Sequence, residues 1–260
     1  MQSSNDYIPN QSTAVLLVGS PGSGKTTLAL QFPRPYVFDA DNNLAGPKRY
    51  LDKHSKNFAY DIGNVKPDGT PVPPFQRWTH MASSLREACN SPEIDTVIVD
   101  SLSSIQEYVK DDIFRQRTQP QRIGKSQFMI TEANRDLGQL TEPEWGIYAR
   151  YFTTLIVTLR TSPKLIVFTA HKESRQKGEN GPWEECIALQ GMMRYKFSAQ
   201  FSDCIELSTK TEGFGKEQKV VRAYRTLPSS EINQCGLKTS FELPPEFNDS
   251  TLLLKQVNQK

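Results

Sequence analysis

The stretch of sequence that decides the fold is Gly19-Ser20-Pro21-Gly22-Ser23-Gly24-Lys25-Thr26-Thr27. Its first eight residues fit the pattern G-x-x-x-x-G-K-[ST] at every fixed position. An apolar run at 13–18 precedes it, and a segment suited to a helix, about 25–32, follows it. The pattern predicts a strand, a phosphate-binding loop (P-loop) and a helix in that order.

Each residue type in this loop has a physical role. Glycines let the backbone curl so that its N–H groups point at phosphate oxygens, and the start of the helix adds positive potential. Lys25 offers a charge to the β- and γ-phosphates, and Thr26 offers a hydroxyl to Mg²⁺. We therefore expect residues 19–27 to bind ATP with Mg²⁺. The alternative is a glycine-rich turn that matches by chance.

Composition sets limits on the rest of the chain. The 260 residues suffice for one α/β domain with a large core or for two small ones. A net charge of +2 neither requires nor excludes nucleic acid. Four scattered cysteines without a C-x-x-C pair argue against a zinc site and favour reduced thiols. No apolar run approaches a membrane span and no secretory signal is evident, so we expect a cytoplasmic protein without membrane association.

Strand-like and helix-like patterns alternate along the chain. The predicted strands are apolar without alternation, and lie at 13–18, 36–40, 58–62, 95–101 and 164–171. Such strands are typical of a parallel sheet covered by helices on both faces. Further strands near 203–208, 219–227 and 238–243 predict an antiparallel C-terminal extension. The predicted fold class is α/β, with a flexible arm at 1–12, one domain at 13–245 and a tail at 246–260.

Polar side chains follow three of the predicted strands. Asp100 ends one strand and is the candidate acid for the Mg²⁺ shell, although it would also suit a helix N-cap. Asp39 and Asp41 end another strand. A carboxylate there would activate the attacking water, and we prefer Asp41; the alternative is a pair of solvated loop acids. His171 ends a third strand and would sense the γ-phosphate, unless it is a capping or packing histidine.

Two segments are locally basic. One carries Arg115, Arg117, Arg122, Lys125 and Arg135 with a single acid among them, and the other runs from Lys172 to Lys177. Clusters of this kind suit a phosphate backbone, but scattered surface charges remain an equal alternative for any one residue.

Four segments in this order, GSPGSGKTT, YVFDADNN, TVIVDS and LIVFTAHKE, resemble the RecA-like ATPase core. More narrowly, Glu144-Trp145-Gly146 and the segment at 169–173 resemble short phage-encoded ATP-binding proteins of the RecA/RadA type, which are linked to single-strand annealing and recombination. The resemblance covers about residues 13–245 and implies a RecA-like P-loop ATPase domain there.

The resemblance also implies roles for individual residues. Asp41 takes the position of the catalytic glutamate of RecA-like proteins, and its side chain is one methylene shorter. His171 stands where RecA has a glutamine that senses the γ-phosphate. The segments at about 115–142 and 172–190 correspond to the two DNA loops. The implied backbone-binding residues are Arg115, Arg117, Arg122, Lys125, Lys172, Arg175 and Lys177, with Phe128 and Trp183 stacking on bases.

RecA-like ATPases hydrolyse ATP at subunit interfaces with a cation from the neighbouring subunit. Lys238 is the best local match for that cation, but Ser240 stands where an arginine is expected; Arg222 and Arg225 are substitutes. The resemblance thus implies a homo-oligomer, as a ring or a filament, that uses ATP to control its assembly on single-stranded DNA, and it makes a single-strand-binding protein a further candidate partner. Two alternatives stay open. One is a small-molecule or nucleotide kinase with residues 115–135 as its lid, and the other is a motor or loader acting on duplex DNA or protein.

Overall fold

A computed structural model describes residues 14–117, 140–178, 180–213, 219–228, 233 and 235–258. The predicted arm at 1–12 lies outside these residues. The described residues form nine strands: β1 Ala14–Gly19, β2 Pro35–Asp39, β3 Ala59–Ile62, β4 Thr96–Asp100, β5 Leu165–Gln176, β6 Trp183–Ile187, β7 Asp203–Glu212, β8 Lys219–Arg225 and β9 Glu246–Phe247. The helices are α1 Lys25–Ala29, α2 Ala45–Asp52, α3 Arg77–Asn90, α4 Leu102–Arg117, α5 Glu142–Leu159, α6 Met193–Lys196 and α7 Ser250–Asn258.

The strands form one sheet in the order β3-β2-β4-β5-β1-β7-β8-β9, and β6 pairs with the far half of β5. The six strands from β3 to β7 are parallel to their neighbours. β8 and β9 are antiparallel additions beyond β7. The predicted fold class is therefore confirmed: an α/β domain with a mostly parallel sheet and an antiparallel C-terminal extension.

Hydrophobic cores lie on both faces of the sheet. In β1, Ala14, Leu16 and Val18 face one core, whereas Val15 and Leu17 face the other. The first core is completed by apolar side chains of α3, α4 and α5, and the second by those of α1, α2 and α7. Because β1 is buried on both faces, the loop that follows it is held at a fixed place on the sheet edge. Across the described ranges, no helix has the length and apolar character needed to cross a membrane.

Three features of the structure differ from what the sequence led us to expect. Residues 45–52 form a helix where no element was predicted. Residues 238–243 form no strand, since only Lys238 makes an isolated bridge, to Cys204. The predicted loop after His171 is instead a hairpin of β5 and β6. In the C-terminal segment at 246–260, a short helix at 251–257 is expected from the sequence, and α7 is present there with Leu253 and Val257 buried in the second core.

Candidate nucleotide site

The P-loop connects β1 to α1 and has the curled backbone that its sequence predicts. Gly22 and Gly24 have φ angles of 77° and 95°, a region that side chains disfavour. Among the described residues, the hydroxyl of Ser23 is buried with no hydrogen-bond partner. A cradle with glycines at positive φ and an unused buried hydroxyl fits an oxygen-rich ligand such as a polyphosphate.

Lys25 is folded back over this loop. Its ammonium group donates to the carbonyl oxygens of Gly19 at 2.9 Å and Ser20 at 3.0 Å. Burial lowers the pKa of Lys25, and the charges of Asp100 and Asp41 act in the opposite direction. The positive charge of Lys25 is thus held at the loop, close to two carboxylates and at the place where a phosphate group would bind.

Thr26 and Asp100 form the second part of the site. The Thr26 hydroxyl donates to one carboxylate oxygen of Asp100 at 2.8 Å, and the hydroxyl of Thr169 donates to the other. Burial raises the pKa of Asp100, while these two hydrogen bonds lower it. A hydroxyl beside a carboxylate at a P-loop is the donor set that holds Mg²⁺ in this class of site, so the residues fit that ion. Thr169 was missed from the sequence because it lies within an apolar strand.

Asp39 and Asp41 have different surroundings although both follow β2. Asp39 is 1% exposed and accepts the backbone N–H groups of Asp41 and Asn43. Burial, with the nearby charge of Asp100, raises the pKa of Asp39 to about 6. Asp39 therefore shapes the turn that presents Asp41.

Asp41 points toward the centre of the site. Ser101 donates to it at 3.1 Å, and Nε2 of His171 lies 3.7 Å from its other oxygen. Burial acts to raise the pKa of Asp41, but hydrogen bonds from His171, Ser104 and Ser101 outweigh it and leave this pKa below its usual value. The carboxylate is therefore ionised at neutral pH.

His171 connects the two halves of the site. Its Nδ1 atom lies 3.4 Å from the ammonium group of Lys25, opposite the contact of Nε2 with Asp41. The backbone N–H of His171 donates to the hydroxyl of Ser103 at the start of α4. The structure thus brings together all four residues expected to carry the chemistry, which are Lys25, Asp41, Asp100 and His171.

The residues expected to bind DNA differ from one another in their surroundings. Arg122, Lys125 and Phe128 lie outside the described residues, as does the side chain of Arg117. Arg115 pairs with Asp112 at 2.7 Å, and Arg175 lies 3.6 Å from Glu184.

Lys172 is held between two glutamates. It pairs with Glu206 at 2.7 Å and with Glu185 at 2.9 Å. Burial acts to lower the pKa of Lys172, but the two glutamates hold it above its usual value. Three of the predicted DNA-binding cations are therefore engaged by carboxylates of their own chain.

The far end of the β5–β6 hairpin is more open. Trp183 is 61% exposed, and Lys177 near it is also exposed. An exposed indole beside a cation is the combination that stacks on an unpaired base.

The candidates for a trans-acting cation lie in three different places. Lys238 is half-buried and bridges Cys204, near the start of β7 and remote from the end of β1. Arg225 points to Glu206 and Glu246. Arg222 lies against Gly24 of its own chain.

Comparisons with known proteins give a family match and similarities to solved structures. The chain matches the AAA domain family over residues 11–192. Among solved structures it is similar to a KaiC-like protein of Pyrococcus horikoshii, at 15% identity and a TM-score of 0.41, covering 82% of this chain and 77% of that one. It is also similar to the RadB recombinase, at 10% identity and a TM-score of 0.43, covering 82% and 79%.

No curated protein sequence is significantly similar to the chain. The family match covers well over half of the chain and includes the P-loop, Asp41, Asp100 and His171. The chain therefore belongs to the AAA domain family and is a P-loop ATPase.

Proposed function

We propose that this protein hydrolyses ATP with Mg²⁺ and uses the nucleotide to control its assembly on single-stranded DNA, as a recombinase- or annealing-type ATPase. The observation that carries the proposal is the contact of His171 with both Lys25 and Asp41. One side chain thereby links the phosphate-binding lysine, the candidate base and the strand that leads into an exposed hairpin.

Each residue of the site has its own role in the proposed reaction. Lys25 and the P-loop backbone hold the phosphates, and Thr26 and Asp100 would hold Mg²⁺, which neutralises charge on the phosphates when bound. Asp41 orients a water molecule and accepts its proton at a carboxylate oxygen. Its lowered pKa keeps the carboxylate in the ionised form at neutral pH, which is the form that can accept a proton.

Communication with DNA would pass through the hairpin. His171 belongs to β5, and Trp183 pairs with Gln176 at the far end of the same strand. A shift of His171 toward the γ-phosphate would move a strand rather than a flexible loop. ATP would thus change the position of Trp183 and Lys177, and by linkage DNA would change the affinity for ATP.

A homo-oligomer is part of the proposal, because a strand of DNA offers many equivalent sites to identical subunits. ATP hydrolysis measured without DNA, with single-stranded DNA and with duplex DNA tests the function. We expect stimulation by single-stranded DNA alone, with Lys25→Ala inactive throughout. Equal rates in all three conditions would contradict a role on DNA, and stimulation only by duplex DNA would favour a motor or loader.

A further inference from the structure

Arg222 of β8 rests on the P-loop of its own chain. A Cβ atom added at Gly24 would lie 2.7 Å from Nε, 3.0 Å from Cζ and 3.2 Å from Nη2 of Arg222. Outside the residues next to Gly24 in the chain, these are the three heavy atoms nearest to that position. The guanidinium group therefore packs directly on the glycine that precedes the phosphate-binding lysine.

The sheet topology explains this contact. β1 ends at Gly19, which pairs with Leu207 of β7. β7 continues beyond that point, and its Thr209 pairs with Arg222 of β8. Because β8 is antiparallel, its beginning and not its end reaches the edge of the sheet that carries the P-loop. Tyr224 stacks on Phe247 of β9 at 5.1 Å between ring centres, which fixes the strand.

The charge of Arg222 is available to a ligand. Its side chain is exposed, and among the described residues no carboxylate forms an ion pair with it. Arg225 on the same strand differs, since it lies 3.4 Å from Glu246 and 4.0 Å from Glu206. A guanidinium carries a permanent charge and a planar set of N–H donors that matches phosphate oxygens.

We propose that Arg222 binds phosphate oxygens of the nucleotide in cis, from the same chain as the P-loop. This inference rests on the proposed use of ATP. Lys25, at the start of α1, and Arg222, on β8, would then flank the phosphates, and one subunit would supply both of these cations. A cation from a neighbouring subunit would not be needed to bind the triphosphate.

Binding of the non-hydrolysable analogue AMP-PNP, measured by titration calorimetry, tests this role. We expect Arg222→Ala to bind it about tenfold to a hundredfold more weakly than the wild type, because a charge-assisted hydrogen bond is lost. Arg222→Lys should recover part of the affinity, and Arg86→Ala, which changes an exposed arginine of α3, is the control. Circular dichroism verifies that each variant is folded.

The two proposals fail in different ways in this experiment. Equal affinity of the wild type and Arg222→Ala would overturn the role of Arg222 and leave ATP binding intact. No binding of AMP-PNP by the folded wild type would overturn the proposed function itself.

Mixing Lys25→Ala with Arg222→Ala, at an ATP concentration too low to saturate the weakened site, separates a cis from a trans role. Lys25→Ala retains Arg222, and Arg222→Ala retains an intact P-loop. If Arg222 acts in cis, a mixture of the two hydrolyses ATP no faster than the sum of the separate proteins. Recovery of hydrolysis in the mixture would show that Arg222 serves a neighbouring P-loop and would overturn the proposal.

Discussion

The hydroxyl of Thr26 donates to the carboxylate of Asp100 at 2.8 Å, although 74 residues separate them along the chain. The two residues come from the start of α1 and the end of β4, and the pairing of β4 with β5 and of β5 with β1 brings them together. The hydroxyl and the carboxylate are therefore set in place by the sheet itself.

The contact between Thr26 and Asp100 predicts that ATP hydrolysis needs the Thr26 hydroxyl to hold Mg²⁺. Thr26→Val removes the hydroxyl while keeping the shape of the side chain, so we expect ATP hydrolysis to fall about a hundredfold or more at saturating MgCl₂. Thr26→Ser keeps the hydroxyl and should retain most of the activity over the same MgCl₂ titration. Full activity of the valine variant would contradict a role for Thr26 in holding Mg²⁺.

Asp41 is expected to be needed for hydrolysis but not for binding. We expect Asp41→Asn to lower the rate of hydrolysis by about 10² to 10⁴, because an amide cannot accept the proton from water. The affinity for AMP-PNP, measured on the same preparations, should change little. Asn43→Ala, in the same turn, is the control. Retained hydrolysis by Asp41→Asn would assign the base to another residue.

His171 is expected to couple the two ligands. In the wild type, AMP-PNP should tighten the binding of single-stranded DNA by about 5- to 150-fold. In His171→Ala that factor should approach one, because the contact from Lys25 to the hairpin is lost. Fluorescence anisotropy of a labelled oligonucleotide measures both values, and His54→Ala is the matched histidine control. A DNA affinity of the wild type that does not respond to nucleotide would rule out the coupling.

Trp183 is expected to contribute to DNA binding by stacking. Trp183→Ala should weaken the affinity for single-stranded DNA by about 1–3 kcal/mol, with no change in nucleotide binding. Phe75, which is 46% exposed, provides a matched aromatic control. If Phe75→Ala and Trp183→Ala have the same small effect on affinity, the hairpin is not the DNA-binding surface.

The raised pKa of Asp39 leads us to expect that the stability of the folded protein depends on pH. Its pKa is about 6 in the folded protein, above the usual value of 3.8, so the folded state binds the proton more tightly. Its contribution to stability is therefore fully present below about pH 4 and is lost as the pH rises through 6. As the pH rises over this range, the free energy of unfolding should decrease less in Asp39→Asn than in the wild type. We expect the difference between the two decreases to be up to about 3 kcal/mol.

Urea unfolding at several pH values measures this difference between the variant and the wild type. The exposed Asp52 offers the control variant Asp52→Asn, which should leave the wild-type curve unchanged in shape. Identical pH profiles for Asp39→Asn and the wild type would show that Asp39 does not titrate in this range.

The residues of the parallel sheet and the P-loop were predictable from sequence because their patterns are local. β1 and β4 are continuous apolar runs, and the loop motif has fixed spacing. α2 was missed because Gly46 and Pro47 argue against a helix. Pro47 lies in the first turn, where a backbone N–H has no helical partner, so it does not disrupt the helix.

The hairpin was missed because its charges were interpreted as a sign of a loop. In the structure Arg175 stands opposite Glu184, so these charges form a pair across two strands. Similarly, Thr239 and Ser240 were assigned to a strand, but both bind the carboxylate of Asp203. Asp203 is 36 residues from Thr239 and 37 from Ser240 along the chain, so local patterns carry no information about this contact.

The position of β1 at the centre of the sheet has a consequence for how the chain is made. β1 leaves the ribosome before the strands that flank it, since Ala14 pairs with Ile166 and Val15 with Asp203, each more than half of the 260 residues further along the chain. The strand that carries the P-loop therefore has unpaired edges until β5 and then β7 have been synthesised. Long-range pairing of this kind slows folding and leaves an apolar strand open to other chains. Nascent chains that stop before β7 would retain the complete motif and still lack a formed phosphate cradle.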